Sequence, residues 1–188
     1  YHFLSSLTGI VPGKVEPAYG STFFLACSPF FCYTGRKGEM HMKIRLLEQK
    51  DFEPVLSMME VFYASDALLI HPDTETLKKT LSDAISAGPY LKGYGFEEEG
   101  IIAGYGMVTM SYSTEVGGLC AWIEDIYVQP AFRGKGFGTA FLHFVEETYG
   151  PKVVRLRLEA EPENEKAISV YKNAGFEVLG YAQLVKAL

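Results

Sequence analysis

The sequence predicts an α/β fold, a mixture of strands and helices around one sheet. Two observations carry that prediction. Segments with strand alternation and segments with helical spacing follow one another in the order β-α-α-β-β-β-α-β-α-β. The 188 residues give room for one domain of ordinary size and not for two, and no internal repeat divides them.

The elements follow in chain order. Residues 42–47 alternate and predict a strand. Asp51 is placed to cap a helix with Pro54 in its first turn, and Phe52, Val55, Leu56, Met59 and Phe62 share one helical face. Residues 64–72 read as a loop. A second helix carries Leu77, Leu81, Ala84 and Ile85 at helical spacing and ends at Gly88-Pro89. Residues 90–97 and 101–112 form a hairpin turned by Glu98-Glu99-Gly100, and the run Glu97, Glu98, Glu99 reads as its solvated tip. After a polar turn at 113–118, residues 119–128 form a strand that Pro130 stops. A helix over 136–149 turns Phe137, Phe141, Phe144 and Val145 inward. A strand over 153–159, a helix over 163–174 closed by Gly175, and one or two strands within 176–188 complete the order.

Residues 1–41 stand apart. They hold eight aromatics, five charges, five Gly and three Pro, without clear periodicity. They read as an extension of unknown role, and residues 42–188 read as the domain.

Composition excludes some functions. Hydrophobic residues make up 48 % and charged residues 21 %, so wholesale disorder is excluded. The net charge of −6 argues against a nucleic-acid partner. No apolar run reaches the ~18 residues of a membrane span. The three cysteines, Cys27, Cys32 and Cys120, make neither a disulfide framework nor a zinc site. The default location is therefore cytoplasmic, with no metal and no membrane partner.

The informative stretch runs from Trp122 to Gly138 as a strand, a short connector, a glycine-rich turn and a helix start. Gly134, Gly136 and Gly138 alternate, so backbone can approach a ligand with no side chain between them. The helix N-terminus offers unpaired N–H groups and a partial positive charge, and Arg133 and Lys135 add full charges. These parts suit a pyrophosphate, although a plain glycine turn at a helix start has the same spacing. That spacing is neither G-x-G-x-x-G nor G-x-x-x-x-G-K-[ST], which excludes the usual dinucleotide and P-loop signatures.

Arg133-Gly134-Lys135-Gly136-Phe137-Gly138 resembles the R/Q-x-x-G-x-G/A acetyl-CoA loop of the GNAT N-acetyltransferase superfamily. The residues from Glu124 to Pro130 resemble that family's motif strand. Asn164, Ala167, Val170-Tyr171 and Gly175-Phe176 resemble its downstream segment. The resemblance covers residues 42–188. It implies a central mixed, mostly antiparallel sheet, splayed at the motif strand and flanked by about four helices. It also implies acetyl-CoA as co-substrate and direct acetyl transfer to a small cationic or amino-acid-like amine through a ternary complex. By resemblance Ile126, Tyr127, Val128, Arg133, Gly134, Lys135, Gly136, Phe137, Gly138, Thr139 and Asn164 hold the cofactor, and Tyr171 protonates the leaving thiolate.

Strand alternation places Trp122, Glu124, Ile126 and Val128 on one face and Ile123, Asp125 and Tyr127 on the other. Glu124 is the candidate general base, with Asp125 second; its position resembles the Leu-Glu-Asp strand of spermidine/spermine-type acetyltransferases. The resemblance also implies where the acceptor binds, which makes Tyr63, Asp66, Tyr112 and Trp122 the candidate acceptor contacts, with His71 beside them; this aromatic and acidic set suits a cation. Other readings stand beside these. Tyr171 also has the spacing of a core residue, Asn164 that of a helix cap, and Glu124 could bind the acceptor without taking its proton. A non-catalytic acyl-CoA-binding module, or a transferase acting on protein or peptide amines, uses the same motifs. A homodimer is left open.

Overall fold

The computed structural model describes residues 31–34, 41–65, 70–86 and 88–186, with the backbone alone at 31–34 and 41. Among them a six-stranded sheet runs in sequence order. Its strands are β1 (Phe31–Thr34), β2 (His41–Leu46), β3 (Leu91–Glu98), β4 (Ile101–Ser113), β5 (Gly118–Val128) and β6 (Arg155–Leu158). The first five pair antiparallel and β6 joins β5 in parallel. The helices are α1 (Phe52–Tyr63), α2 (Thr74–Ile85), α3 (Phe137–Tyr149) and α4 (Glu165–Asn173).

Each face of the sheet buries one cluster. Phe137, Phe141, Phe144 and Val145 of α3 pack on Ile44, Phe96, Val108 and Ile123. Tyr171 of α4 joins the edge of this cluster. On the other face Val55 and Met59 of α1 and Leu77 and Leu81 of α2 pack on Leu47, Tyr105, Met107 and Tyr127. Each such side chain contributes about 1.5–3 kcal/mol of transfer free energy. Gly106 is required by this packing: a Cβ there would occupy the space of the Phe141 ring. The β3–β4 hairpin turns through Glu99 (φ 52°) and Gly100 (φ 82°), two left-handed residues matched to the twist of the strands.

Four features differ from the sequence reading. Strand β1 lies within the segment read as an extension and pairs with β2, so the sheet reaches past the boundary drawn at residue 42. Its four residues are too few to show alternation. The remainder of residues 1–40 lies outside the described residues. Asp51 does not cap α1 with its side chain. The carboxylate is buried and takes two guanidinium bonds from Arg45, at 2.6 and 2.9 Å, and the Glu48 N–H at 2.8 Å. The acidic hairpin tip is mostly paired: Glu97 accepts from Arg45 and Glu98 from Lys135, each at 2.8 Å, which leaves Glu99 exposed. Last, residues 176–186 form no strand. Val178, Tyr181, Leu184 and Val185 are exposed, and the described side-chain bonds of the segment run from Tyr181 to Glu115 and from Gln183 to Glu159. Strand propensity acts only where a neighbouring edge accepts the backbone bonds.

Candidate active site

The site begins where β5 and β6 part. Their pairing runs from Cys120↔Arg155 to Ile123↔Leu158 and stops there. Beyond it, residues 124–128 continue along β4, with no β6 residue beside them. A slot therefore opens along one edge of β5, with backbone polar groups on its wall. Ile126 and Val128 stand on this wall, half-buried against the α3 cluster. The carbonyl of Val128 accepts from Arg133 Nε at 3.0 Å.

The slot leads to the start of α3. Gly134 (φ 76°) and Gly136 (φ 90°) hold left-handed backbone that other residues adopt at a cost. Gly136 is the N-cap, and no side chain caps the helix. Its first N–H groups therefore remain available. A Cβ built on Gly134, Gly136 or Gly138 would meet nothing within 4 Å, so the space above the turn is open. Open space, exposed N–H donors and the helix dipole fit the pyrophosphate of a CoA. Phe137 is buried in the core, so it anchors the loop and offers only its backbone to a ligand. Thr139 is exposed in the first turn of α3. Arg133 lies 5.9 Å from the Tyr127 ring centroid, and Lys135 lies 4.9 Å from that of Phe132 while paired with Glu98. Tyr127 itself turns its ring into the α1–α2 cluster, away from the slot.

Helix α4 stands on the α3 side of the sheet. Asn164 caps it, accepting from Ala167 N–H at 3.2 Å, which leaves its amide NH₂ free to donate. Tyr171 packs edge-on to Phe176, with centroids 6.3 Å apart, and burial pushes its hydroxyl pKa above the ordinary value. It therefore keeps its proton through neutral pH.

The opposite face holds the acids. The β4–β5 register pairs Met107 with Asp125 and Val108 with Ile123, which leaves Glu124 as an extra residue on β5. This bulge breaks the expected alternation. Ile123, Ile126 and Val128 all pack on the α3 side, whereas Tyr127 packs on the α1–α2 side. Glu124 and Asp125 both turn to the α1–α2 side. The exposed Glu124 accepts from Thr109 Oγ1 at 2.5 Å. Asp125 is 4 % exposed, and its Oδ1 accepts from Tyr63 Oη at 2.9 Å. Its Oδ2 and the nearby buried Tyr105 hydroxyl have no hydrogen-bond partner. Burial raises the Asp125 pKa to about 6, the Tyr63 bond opposes that rise, and the charge of Glu124 adds to it. Burial and the Asp125 charge push the Tyr63 hydroxyl far above its usual range.

Tyr63 also lines a recess of about 510 Å³ with Glu60, His71 and Pro72. His71 Nδ1 donates to the Tyr63 carbonyl at 2.6 Å. Trp122 is half-buried, with the Arg157 guanidinium carbon 4.2 Å from its ring centroid. Tyr112 is not brought to this group: it is 64 % exposed, opposite Leu119, and alternation from Met110 puts it on the α3 side. Asp66 lies outside the described residues. A larger recess of about 920 Å³ lies between α1 and the β3–β4 hairpin, but its Arg45, Asp51 and Glu97 satisfy one another. Sequence reading missed Tyr105, Thr109 and Arg157. Only Arg157 left a signal, as a cation alternating with Leu156 and Leu158. Among the described residues no group of three His, Cys, Asp or Glu is placed to hold a metal ion.

The model of the Acetyltransferase (GNAT) family matches residues 56–176. Thialysine N-epsilon-acetyltransferase of Mus musculus is 36 % identical over 86 residues, covering 45 % of this chain and 50 % of that protein. The Bos taurus protein of the same name is 37 % identical over 83 residues, covering 44 % and 48 %. The chain thus spans about half the length of the curated relatives it matches. Among solved structures, a possible acetyltransferase from Clostridium difficile 630 shares the fold at TM-score 0.69 and 19 % identity, over 80 % of this chain and 99 % of that one. An aminoglycoside N-acetyltransferase in complex with CoA does so at TM-score 0.66 and 17 % identity, over 82 % and 99 %.

Proposed function

The chain belongs to the GNAT acetyltransferase family, and from that premise we propose that it transfers acetyl from acetyl-CoA directly to a primary amine of a small acceptor in a ternary complex. The observation that carries this reading is the single path from the β5–β6 parting to the uncapped start of α3, with acids on one side of it and Tyr171 on the other. The relatives named for acetylating thialysine and aminoglycosides support an amine acceptor.

Residues 134–139 would hold the pyrophosphate through backbone N–H groups, with Arg133 and Lys135 at the rim. The edge of β5 at Ile126 and Val128, with the amide of Asn164, would hold the pantetheine arm. Bound acetyl-CoA supplies an acetyl group activated as a thioester. Glu124, reached by solvent, takes the proton that the acceptor ammonium must lose before it attacks, directly or through water. A backbone N–H of β5, at Ile126 or Val128, donates to the oxygen that becomes negative. Tyr171 Oη gives its proton to the departing sulfur, and the second proton of the attacking nitrogen returns to Tyr171 through water as the amide forms. Asp125 contributes negative charge below Glu124 and holds Tyr63 against the acceptor recess. The buried free thiol of Cys120 suits a reducing compartment, and a cytoplasmic location is part of the proposal.

Thiol release from acetyl-CoA in the presence of a panel of primary amines tests the reading. Turnover with at least one amine is expected, and Glu124→Gln should lower kcat by about 100-fold. CoA binding without turnover of any amine would replace the enzyme with a CoA-binding module.

A further inference from the structure

Among the described residues, the acceptor face carries a cation, Arg157, that neither the proposed chemistry nor an ion pair uses. Leu156 and Leu158 of β6 pack on the α3 cluster, so Arg155 and Arg157 point to the opposite face, that of Glu124 and Asp125. Arg155 is committed: it donates to Glu115 at 2.7 Å, and Glu115 also accepts from Tyr181. Arg157 stands directly across from Trp122 in the β5–β6 register, one pair before the strands part. Its guanidinium lies over the indole ring, at 4.2 Å from the centroid. Among the described residues no carboxylate forms an ion pair with it, and Glu115 senses only its longer-range field.

A guanidinium attracted to a ring face is restrained in position while its N–H groups can still donate. Their fork matches the two oxygens of a carboxylate. Glu124 lies two residues along β5 from Trp122, about 7 Å away by strand rise. The floor of the acceptor side therefore presents a positive charge and then a negative one. A diamine would bring its second ammonium toward Arg157. A molecule with a carboxylate at one end and an ammonium at the other meets both charges with the right sign.

We propose that Arg157, seated over the Trp122 ring beside the parting of β5 and β6, binds the carboxylate of the acceptor, so that the acceptor is an amino acid rather than a polyamine. The inference rests on the transferase reading above and names the substrate class of that site. Arg157 determines specificity and takes no part in proton transfer.

The test compares L-lysine with cadaverine, the same chain and terminal amine without the carboxylate. The wild type should favour lysine in kcat/KM by about 10- to 100-fold, the worth of one charge-assisted pair. Arg157→Gln should bring that ratio close to one through the KM of lysine, while the affinity for CoA reports that the fold is intact. A wild-type ratio near or below one, or a ratio that Arg157→Gln leaves in place, overturns the carboxylate assignment and leaves the transferase reading standing. If no amine turns over, the transferase reading fails and binding decides the assignment separately. Trp122 is the only tryptophan of the chain, so its emission reports this contact. With CoA present, lysine should change that emission at a concentration at least about 10-fold below that of cadaverine; equal midpoints overturn the assignment.

Discussion

The two sides of strand β5 are built by different means. On the α3–α4 side the candidate cofactor site consists mainly of backbone: three glycines under open space, an uncapped helix start and a strand edge without a neighbour, with Arg133, Lys135 and Asn164 adding side chains. On the α1–α2 side the candidate acceptor site consists of side chains from distant elements. Tyr63 comes from α1, Thr109 and Tyr105 from β4, Arg157 from β6, and Glu124 and Asp125 from the bulge. The first side suits a ligand that never changes, because backbone donors keep their positions under most substitutions. The second can be retuned one side chain at a time, as an acceptor site requires.

The sharpest way to break this contrast is at the one α4 side chain assigned to chemistry. Tyr171→Phe should lower kcat by about 100-fold or more and leave the Kd for CoA nearly unchanged. Unaltered turnover in that variant would reduce Tyr171 to core packing beside Phe176.

On the acceptor side the largest effect is a pH dependence. Burial raises the Asp125 pKa from 3.8 to about 6. A carboxyl whose folded pKa lies above its unfolded value binds more protons when folded. Stability is therefore lost as pH rises from about 4 through about 6, by at most about 3 kcal/mol. Asp125→Asn keeps an acceptor for Tyr63 and carries no charge. It should gain stability relative to the wild type over that interval, and a gap between the two denaturation midpoints that stays constant with pH would sink the assignment.

The glycines divide in the same way. Gly106 is filled by Phe141, so Gly106→Ala should cost about 1–3 kcal/mol in chemical denaturation. Gly138 is open and has no positive φ, so Gly138→Ala should leave stability within about 0.5 kcal/mol of wild type while weakening CoA binding in calorimetry. Smallest of all, Lys135→Ala removes an ion pair at the rim and should cost under about 1 kcal/mol in the same denaturation assay.

Much of the cofactor side was legible in the sequence. Glycine spacing and the helix after Pro130 are local properties, and they predicted the turn at residues 133–138 and the start of α3; Asn164 before a helical run likewise predicted the cap of α4. Periodicity also located α1, α2, α3, the hairpin and β5. It misread Asp51, because an acid before a helix looks like a cap until a buried guanidinium claims it. It predicted strands after Phe176, because propensity does not reveal whether an edge is available. It put Glu124 on the face of Ile126, because a single inserted residue inverts alternation and leaves no mark in composition.

By itself the sequence determined the order of elements from β2 to α4, the buried faces of the helices and the glycine turn before α3, since these follow from spacing within a few residues. Tertiary structure alone decided where β5 leaves β6, which way Glu124 and Asp125 turn, and that Arg157 lies against Trp122. Those depend on strand register, which is set by the packing of all the elements together and by no short stretch of chain.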